Sequence, residues 1–315
     1  MLMSGVYVVS TEPPVFCVAN NYLEVAAANA SEAGMKAHFL VFPMWYAGDA
    51  RGAISAFKAT WKSRPHKVYW LCNAPAEERA LRLLGLNASF CHHNLFCDET
   101  LFRPRAEKQV YDALYTAGLH NYKRVWLASK VPRLRIITAS VQALDRLDDW
   151  GCSHAEANPE YLSKDDVARE ICRSACCLAL SKKEGGMFAT TEYLLCGKPI
   201  VSTKSTGGRD FWFDPDNHVI AEADSSSVLN AVSSISKRTW QAEKIREHTL
   251  TKLRQQREIL QDKISQISRR SLLSDATGNE LSKRFVFGPH LPNLFSFLVG
   301  KTSPCAEVKA AIGAL

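Results

Sequence analysis

The chain has 315 residues, 46% hydrophobic, 23% charged and 10% aromatic, which excludes an extended disordered protein and supplies enough apolar material for two cores. Its net charge of +7, with a pI near 8.9, favours an anionic partner such as a nucleotide, a phosphorylated substrate, an acidic membrane surface or a nucleic acid, without choosing among them. Ten scattered cysteines show no second pair at metal-ligand spacing, so reduced thiols are expected rather than a disulfide framework or a zinc site.

The opening MLMSGVYVVSTEPP has no basic leader, and no stretch reaches the roughly 20 apolar residues of a membrane span, which points to a cytoplasmic protein. Strand patterns at 5–10, 36–43, 67–72 and 88–92 alternate with helical patterns at 20–34, 49–63 and 75–85. Pro75 is placed to start the third helix, and Gly34 and Gly85 to end the first and third. Apolar strands alternating with helices predict a parallel sheet covered on both faces. The polar, proline-bearing stretch 94–109 reads as a hinge, after which the alternation restarts. Strands are predicted at 112–117, 134–138, 176–181, 199–203 and 218–221, with helices near 122–131 and 140–148 and at 163–175, 188–196 and 224–236.

A helix over 239–270 carries a partial apolar stripe of Trp240, Leu253, Leu260, Ile264 and Ile267. Between Lys244 and Arg270 it has eight basic residues against three acids, read as a solvated surface face, with a membrane-surface or nucleic-acid role as the alternative. The aromatic-rich stretch 285–301, with Pro289 and Pro292, is expected to pack back onto the body. The organisation is therefore a small first domain over 1–104, a ligand-binding domain with the long basic helix over 105–284 and a returning segment over 285–315. Both domains are Rossmann-like parallel sheets, and the cleft expected between them would hold ligands outside the carboxyl ends of strands.

One such end opens SKKEGGMFATTEYLLCGKPIVSTKSTGGRD, residues 181–210. Glu184 falls in the loop after a strand, Gly185 and Gly186 let a ligand approach the backbone, and the first amides of a helix beginning near Phe188 favour an anion. Glu192, one turn into that helix, is suited to accept two hydrogen bonds from vicinal hydroxyls. Gly207 and Gly208 offer a second place where backbone N–H groups cradle an anion. The pocket fits a nucleotide attached to something polyhydroxylated; the plainer reading is a solvated Glu192 and turn glycines.

In CHHN (91–94), His92 and His93 are candidates for acid/base work or acceptor contact, beside a purely structural role. A metal reading of Cys91, His92 and His93 is disfavoured because neighbours on a strand alternate faces. Asn73 and Glu12, after strands, would line the acceptor side or serve as a helix cap and a surface turn. RLDDWG and KDDV read as turn or helix-start acids rather than as a divalent-cation motif.

With its Glu, seven residues, Glu spacing, its CG-x-P turn and its Gly-Gly loop, EGGMFATTEYLLCGKPIVSTKSTGG resembles the glycosyl transferases group 1, retaining enzymes of the GT-B fold, over roughly residues 105–235. The resemblance implies an α/β, GT-B-like architecture with a small N-terminal domain. It implies that Glu184 contacts the donor sugar's hydroxyls near the reacting carbon, that Glu192 binds the ribose, and that Gly185, Gly186, Met187 and Phe188 bring amides near the diphosphate. The family places an arginine and then a lysine after the first strand of the second domain. Here Lys123 is present with Arg124 beside it, but Gly118 stands where the arginine is expected, leaving Arg124 or a lysine of SKK as substitutes on the diphosphate.

The implied activity is retaining, metal-independent sugar transfer from a nucleoside-diphosphate sugar, with no cofactor and no bound metal. The acceptor would be a glycan, a lipid-linked sugar or a nucleic acid such as DNA carrying a modified base, with peripheral contact to a membrane surface also open. The alternatives are a non-catalytic binding or scaffold protein of the same fold and a nucleotide-sugar epimerase.

Overall fold

The computed structural model describes residues 6–11 and 13–268. They form two compact units: one takes the chain up to Phe96 and again from Arg254 onward, the other Cys97–Leu253.

The first unit contains strands β1 (Val6–Thr11), β2 (Pro14–Ala19), β3 (His38–Phe42), β4 (Lys67–Cys72) and β5 (Ala88–Phe90), with helices α1 (Leu23–Glu32), α2 (Ala50–Lys62) and α3 (Pro75–Leu83). The sheet runs β1-β2-β3-β4-β5, parallel from β2 onward. The sequence reading has no strand at β2, whose PVFCVA is buried beyond its first residue. Two consecutive prolines hide it, yet proline is tolerated at the first residue of a strand. Because β1 pairs antiparallel with β2, Thr11 opposite Pro14, the expected all-parallel sheet carries an antiparallel edge.

The core of this unit is Phe16, Phe39, Val41, Trp70 and Leu81, met by alanines of α1 and α2. Those small residues let both helices approach the sheet closely. Trp70 is 1% exposed, and its Nε1 donates to Thr60 Oγ1 at 2.9 Å.

The second unit has strands β6 (Tyr111–Thr116), β7 (Leu134–Ile137), β8 (Glu156–Ala157), β9 (Ser174–Ala179), β10 (Lys183–Glu184), β11 (Ile200–Thr203), β12 (Thr206–Gly207) and β13 (His218–Ala221). Its helices are α4 (Arg146–Asp149), α5 (Lys164–Cys172), α6 (Phe188–Leu195), α7 (Ser225–Ser236) and the first part of α8 (Ala242–Ser268). Six strands form a parallel sheet ordered β13-β11-β9-β6-β7-β8, and β10 and β12 form a separate parallel pair.

Several expectations are corrected. The helix near 122–131 is replaced by two short 3-10 turns, Asn121–Lys123 and Val125–Ala128, because Arg124 between them takes φ 52, which an α-helix cannot accommodate. The helix near 140–148 shrinks to a 3-10 turn and the four residues of α4, followed by Gly151 at φ 66. The boundary falls at Phe96/Cys97 rather than 104/105, since Cys97 and Phe102 are buried in the second unit's core.

Helix α8 is also divided between the units rather than belonging wholly to the second. Before the division, Arg246 donates to the carbonyls of Glu99, Phe102 and Leu195, and Lys252 pairs with Asp214 at 2.9 Å. After it, Gln256 Oε1 accepts from the His92 N–H at 2.7 Å and Arg257 Nε donates to the Leu95 carbonyl at 2.8 Å. Three of the basic groups read as a solvated face are therefore ties within the two units. The segment 285–315 and the end of the predicted long helix lie outside the described residues.

Nine described cysteines are buried and free, and no helix among the described residues is long and apolar enough to cross a membrane. Replacing Trp70 by alanine should cost about 3–5 kcal/mol of stability in chemical denaturation, whereas the same change at Trp61, 56% exposed, should cost under about 0.5 kcal/mol.

Candidate functional site

The carboxyl ends of β6, β9 and β11 lie next to one another in the second sheet, and the loops leaving them carry the residues of interest. After β6 the chain reaches Lys123, whose backbone is fixed by the Tyr115 hydroxyl donating to the Lys123 carbonyl at 2.7 Å. After β9 it reaches Glu184, and Lys123 Nζ is ion-paired with Glu184 Oε1. The two side chains are only 14% and 12% exposed, so their attraction is little screened by solvent.

The glycines of the two loops serve each other. Strands β10 and β12 pair Glu184 with Gly207, which has φ 123, and a Cβ at Gly207 would lie 1.6 Å from the Glu184 carbonyl oxygen. Only glycine fits there, on both conformation and space. The Gly208 N–H donates to the carbonyls of Gly185 at 2.7 Å and Glu184 at 3.2 Å. That amide therefore braces the Glu184 loop, in place of the anion cradle expected of it.

Arg124 has a comparable internal task. From its left-handed backbone its Nε donates to the Leu180 carbonyl and its Nη2 to Thr203 Oγ1, both at 2.6 Å. Its guanidinium thus ties the ends of β9 and β11 together, which departs from the direct diphosphate contact expected. At Gly118, where the arginine was expected, an added Cβ would meet the His120 ring at 3.1 Å. His120 stacks on Tyr122 with ring centroids 5.8 Å apart.

Beneath these loops lies a residue that the sequence reading missed. Arg209 is fully buried, yet every N–H of its guanidinium has an acceptor. Nη1 donates to the Ala179 and Ser181 carbonyls at 2.8 and 2.9 Å and to Ser181 Oγ at 3.2 Å. Nη2 donates to Ser202 Oγ at 2.8 Å and the Thr203 carbonyl at 2.6 Å, and Nε to Asp210 Oδ1 at 2.7 Å. A lone arginine after two glycines gives no spacing signal that would have flagged it. Burial and then the charge of Arg209 lower the pKa of Arg124, so two cations converge on the same strand ends.

Helix α6 follows the Glu184 loop. Its N-cap is Met187, a side chain unable to cap, and Gly185, Gly186 and Phe188 flank that end of the helix. Glu192, half-buried, has its carboxyl pushed up to about 7 by burial, against a pull from Lys164. It makes no ion pair or hydrogen bond with the Lys123–Glu184 pair among the described residues.

His92 and His93 lie in the interior of the first unit, both at most 1% exposed. His92 Nδ1 accepts from the Asn94 N–H at 3.1 Å, and the His93 N–H donates to Asn73 Oδ1 at 2.9 Å. Asn73 also donates to the Pro43 carbonyl at 2.9 Å, so it braces the interior instead of lining a surface. Glu12 lies outside the described residues. Among the described residues, no group of three or more His, Cys, Asp or Glu is placed to hold a metal ion.

No protein-family model and no curated protein matches the chain. Among solved structures it is similar to HepE (Alr3699) of Anabaena in complex with UDP, 14% identical with a TM-score of 0.58 over 81% of this chain and 79% of that one. It is likewise similar to sucrose-phosphate synthase of Thermosynechococcus elongatus, 13% identical with a TM-score of 0.59 over 78% of each chain. A UDP-forming α,α-trehalose-phosphate synthase of Burkholderia vietnamiensis is 10% identical, with a TM-score of 0.58 over 80% of this chain and 73% of that one. The chain thus has an α/β fold of the GT-B type, as the resemblance in 184–208 implies.

Two predictions follow from this geometry. Arg209→Met leaves the Ala179, Ser181 and Thr203 carbonyls without their donor and should cost about 3 kcal/mol or more in urea denaturation; a loss under about 1 kcal/mol would contradict the role given to the guanidinium. The second concerns pH. Burial pushes both Glu192 and the first unit's Glu77 up to about 7 from an ordinary value of 4.5, so each holds its proton more tightly in the folded state. Their contribution to stability is full below about pH 4.5 and is lost as the pH rises through about 7. Glu192→Gln should flatten part of that slope, leaving the share due to Glu77, as denaturation midpoints across this range would reveal.

Proposed function

We propose that the protein is a glycosyltransferase that uses a nucleoside-diphosphate sugar, with retention of configuration and without a divalent cation. The observation that carries this reading is the largely buried Lys123–Glu184 pair at the carboxyl ends of β6 and β9, where open α/β sheets bind ligands. Fold similarity alone would not carry it, since one fold hosts many chemistries. The ligands bound in the similar structures, UDP and UDP-glucose for HepE, support a nucleotide-sugar donor, as does the motif in 184–208.

In this reading the pair exchanges partners on binding. The Lys123 ammonium turns to the donor's diphosphate and stabilises the charge that develops as it leaves. Glu184, released from Lys123, accepts from hydroxyls of the sugar, and Glu192 accepts from the ribose. Because Lys123 supplies positive charge at the leaving group, the reaction has no need of a metal for that purpose. The reading extends to transfer, without a cofactor, onto a glycan or a lipid-linked acceptor, as the resemblance in 184–208 implies.

A second reading, a binding or scaffold protein without turnover, is favoured by one observation. The cation beside Lys123, Arg124, is engaged with Leu180 and Thr203 and not with a ligand-facing loop. Calorimetric titration with UDP, GDP, ADP and CDP, followed by assay of nucleoside diphosphate release from the matching sugars, separates the two. On the leading reading Lys123→Ala should weaken diphosphate binding by about tenfold or more, the scale of one lost charge-assisted contact. Glu184→Gln should keep binding within about threefold and lower turnover by at least about a hundredfold, as expected for a contact that strengthens in the transition state. Binding without turnover in the wild type, or no binding of any nucleotide, would contradict the leading reading and favour the scaffold.

A further inference from the structure

A helix packed on a sheet ordinarily buries its large apolar side chains, and α2 does the reverse. Gly52, Ala53 and Ala56 are its buried residues. Ile54, Phe57 and Trp61, at i, i+3 and i+7, share one face and are 50%, 41% and 56% exposed. They are not scattered: the rings of Phe57 and Trp61 stack with centroids 6.4 Å apart, and the Arg64 guanidinium lies 3.7 Å from the centre of the Trp61 ring. Single exposed apolar residues need no explanation, but a contiguous stripe of this kind marks an interaction surface.

The charge beside the stripe indicates the partner. Arg51, Lys58, Lys62, Arg64 and Lys67 are all exposed, while Asp49, the acid of the same stretch, is engaged in capping α2 through Gly52 N at 2.7 Å. Glu24 offsets Lys62 at 3.0 Å, leaving a clear excess of cations. On α8, by contrast, Arg246, Lys252 and Arg257 are directed into the protein.

We propose that the outer face of α2 binds an anionic lipid surface. Ile54, Phe57 and Trp61 enter the boundary between headgroups and acyl chains, while Arg51, Lys58 and Arg64 meet lipid phosphates. A large apolar and aromatic stripe edged by lysine and arginine is the chemistry of a helix lying in a membrane interface. A nucleic acid would satisfy the cations but would offer no apolar medium to Ile54 and Phe57. This inference rests on α2 alone and stands or falls independently of the donor reading.

The test is co-sedimentation of the full chain with vesicles of phosphatidylcholine containing phosphatidylglycerol, against vesicles of phosphatidylcholine alone. Binding should be seen with the anionic vesicles and fall with added salt. Trp61→Ser should weaken it by about tenfold, and Lys58→Glu by about fivefold or more, each with an unchanged melting temperature because both side chains are exposed. Arg254→Glu, on the exposed side of α8, should leave it unchanged. The proposal is overturned by absence of vesicle binding, by binding that the two α2 variants do not weaken, or by equal binding to neutral vesicles. It is also overturned if the Trp61→Ser variant instead abolishes a concentration-dependent dimer or an association with duplex DNA, which would assign the face to a second copy or to a nucleic acid.

Discussion

The second unit depends on one buried cation. The guanidinium of Arg209, with no contact to solvent, gathers the carbonyls that end β9 and β11 and the hydroxyls of Ser181 and Ser202. An uncompensated charge in that position would cost several kcal/mol, a large part of a domain's net stability, so its acceptors must stay where they are. The loops that carry Glu184 and Gly207 leave from these same strand ends. Fixing Ser181 and Thr203 therefore fixes where those loops begin, and the close pairing of Glu184 with Gly207 determines how the first continues.

Around that anchor the site is built by backbone ties more than by side chains reaching into solvent. Tyr115 holds the Lys123 carbonyl, Arg124 crosses to Leu180 and Thr203, and Gly208 braces Gly185. What emerges is an ammonium and a carboxylate held together with little exposure. In the proposed reading, such a pair suits a ligand that offers a phosphate to one member and hydroxyls to the other. The cost is the internal attraction that the ligand must replace, so diphosphate and sugar should contribute to binding together.

Much of this was legible from the sequence because the relevant signals are local. Alternating apolar strands and periodic helices gave the two sheets, and the spacing from Glu184 to Glu192 with its flanking glycines marked the loop region. What escaped was what depends on partners distant in sequence. The strand Pro14–Ala19 was concealed by its prolines, and Arg124 looked like a second phosphate ligand because nothing in YTAGLHNYKRVW reveals that its backbone turns left-handed and sends the side chain back to Leu180. Arg209 carries no motif, since its meaning lies in carbonyls about 30 residues earlier in the chain. Nor does the helical period of α2 tell which face a sheet will take; small residues inside and aromatic ones outside is a choice that only packing shows.

The most direct test of the central claim is a crystal structure of the protein with the nucleoside diphosphate it binds most tightly. The account predicts a diphosphate oxygen within hydrogen-bond distance of Lys123 Nζ, the Lys123–Glu184 pair opened, and Arg209 unmoved on its carbonyls. A nucleotide bound away from Lys123, or one bound with that ion pair intact, would contradict it.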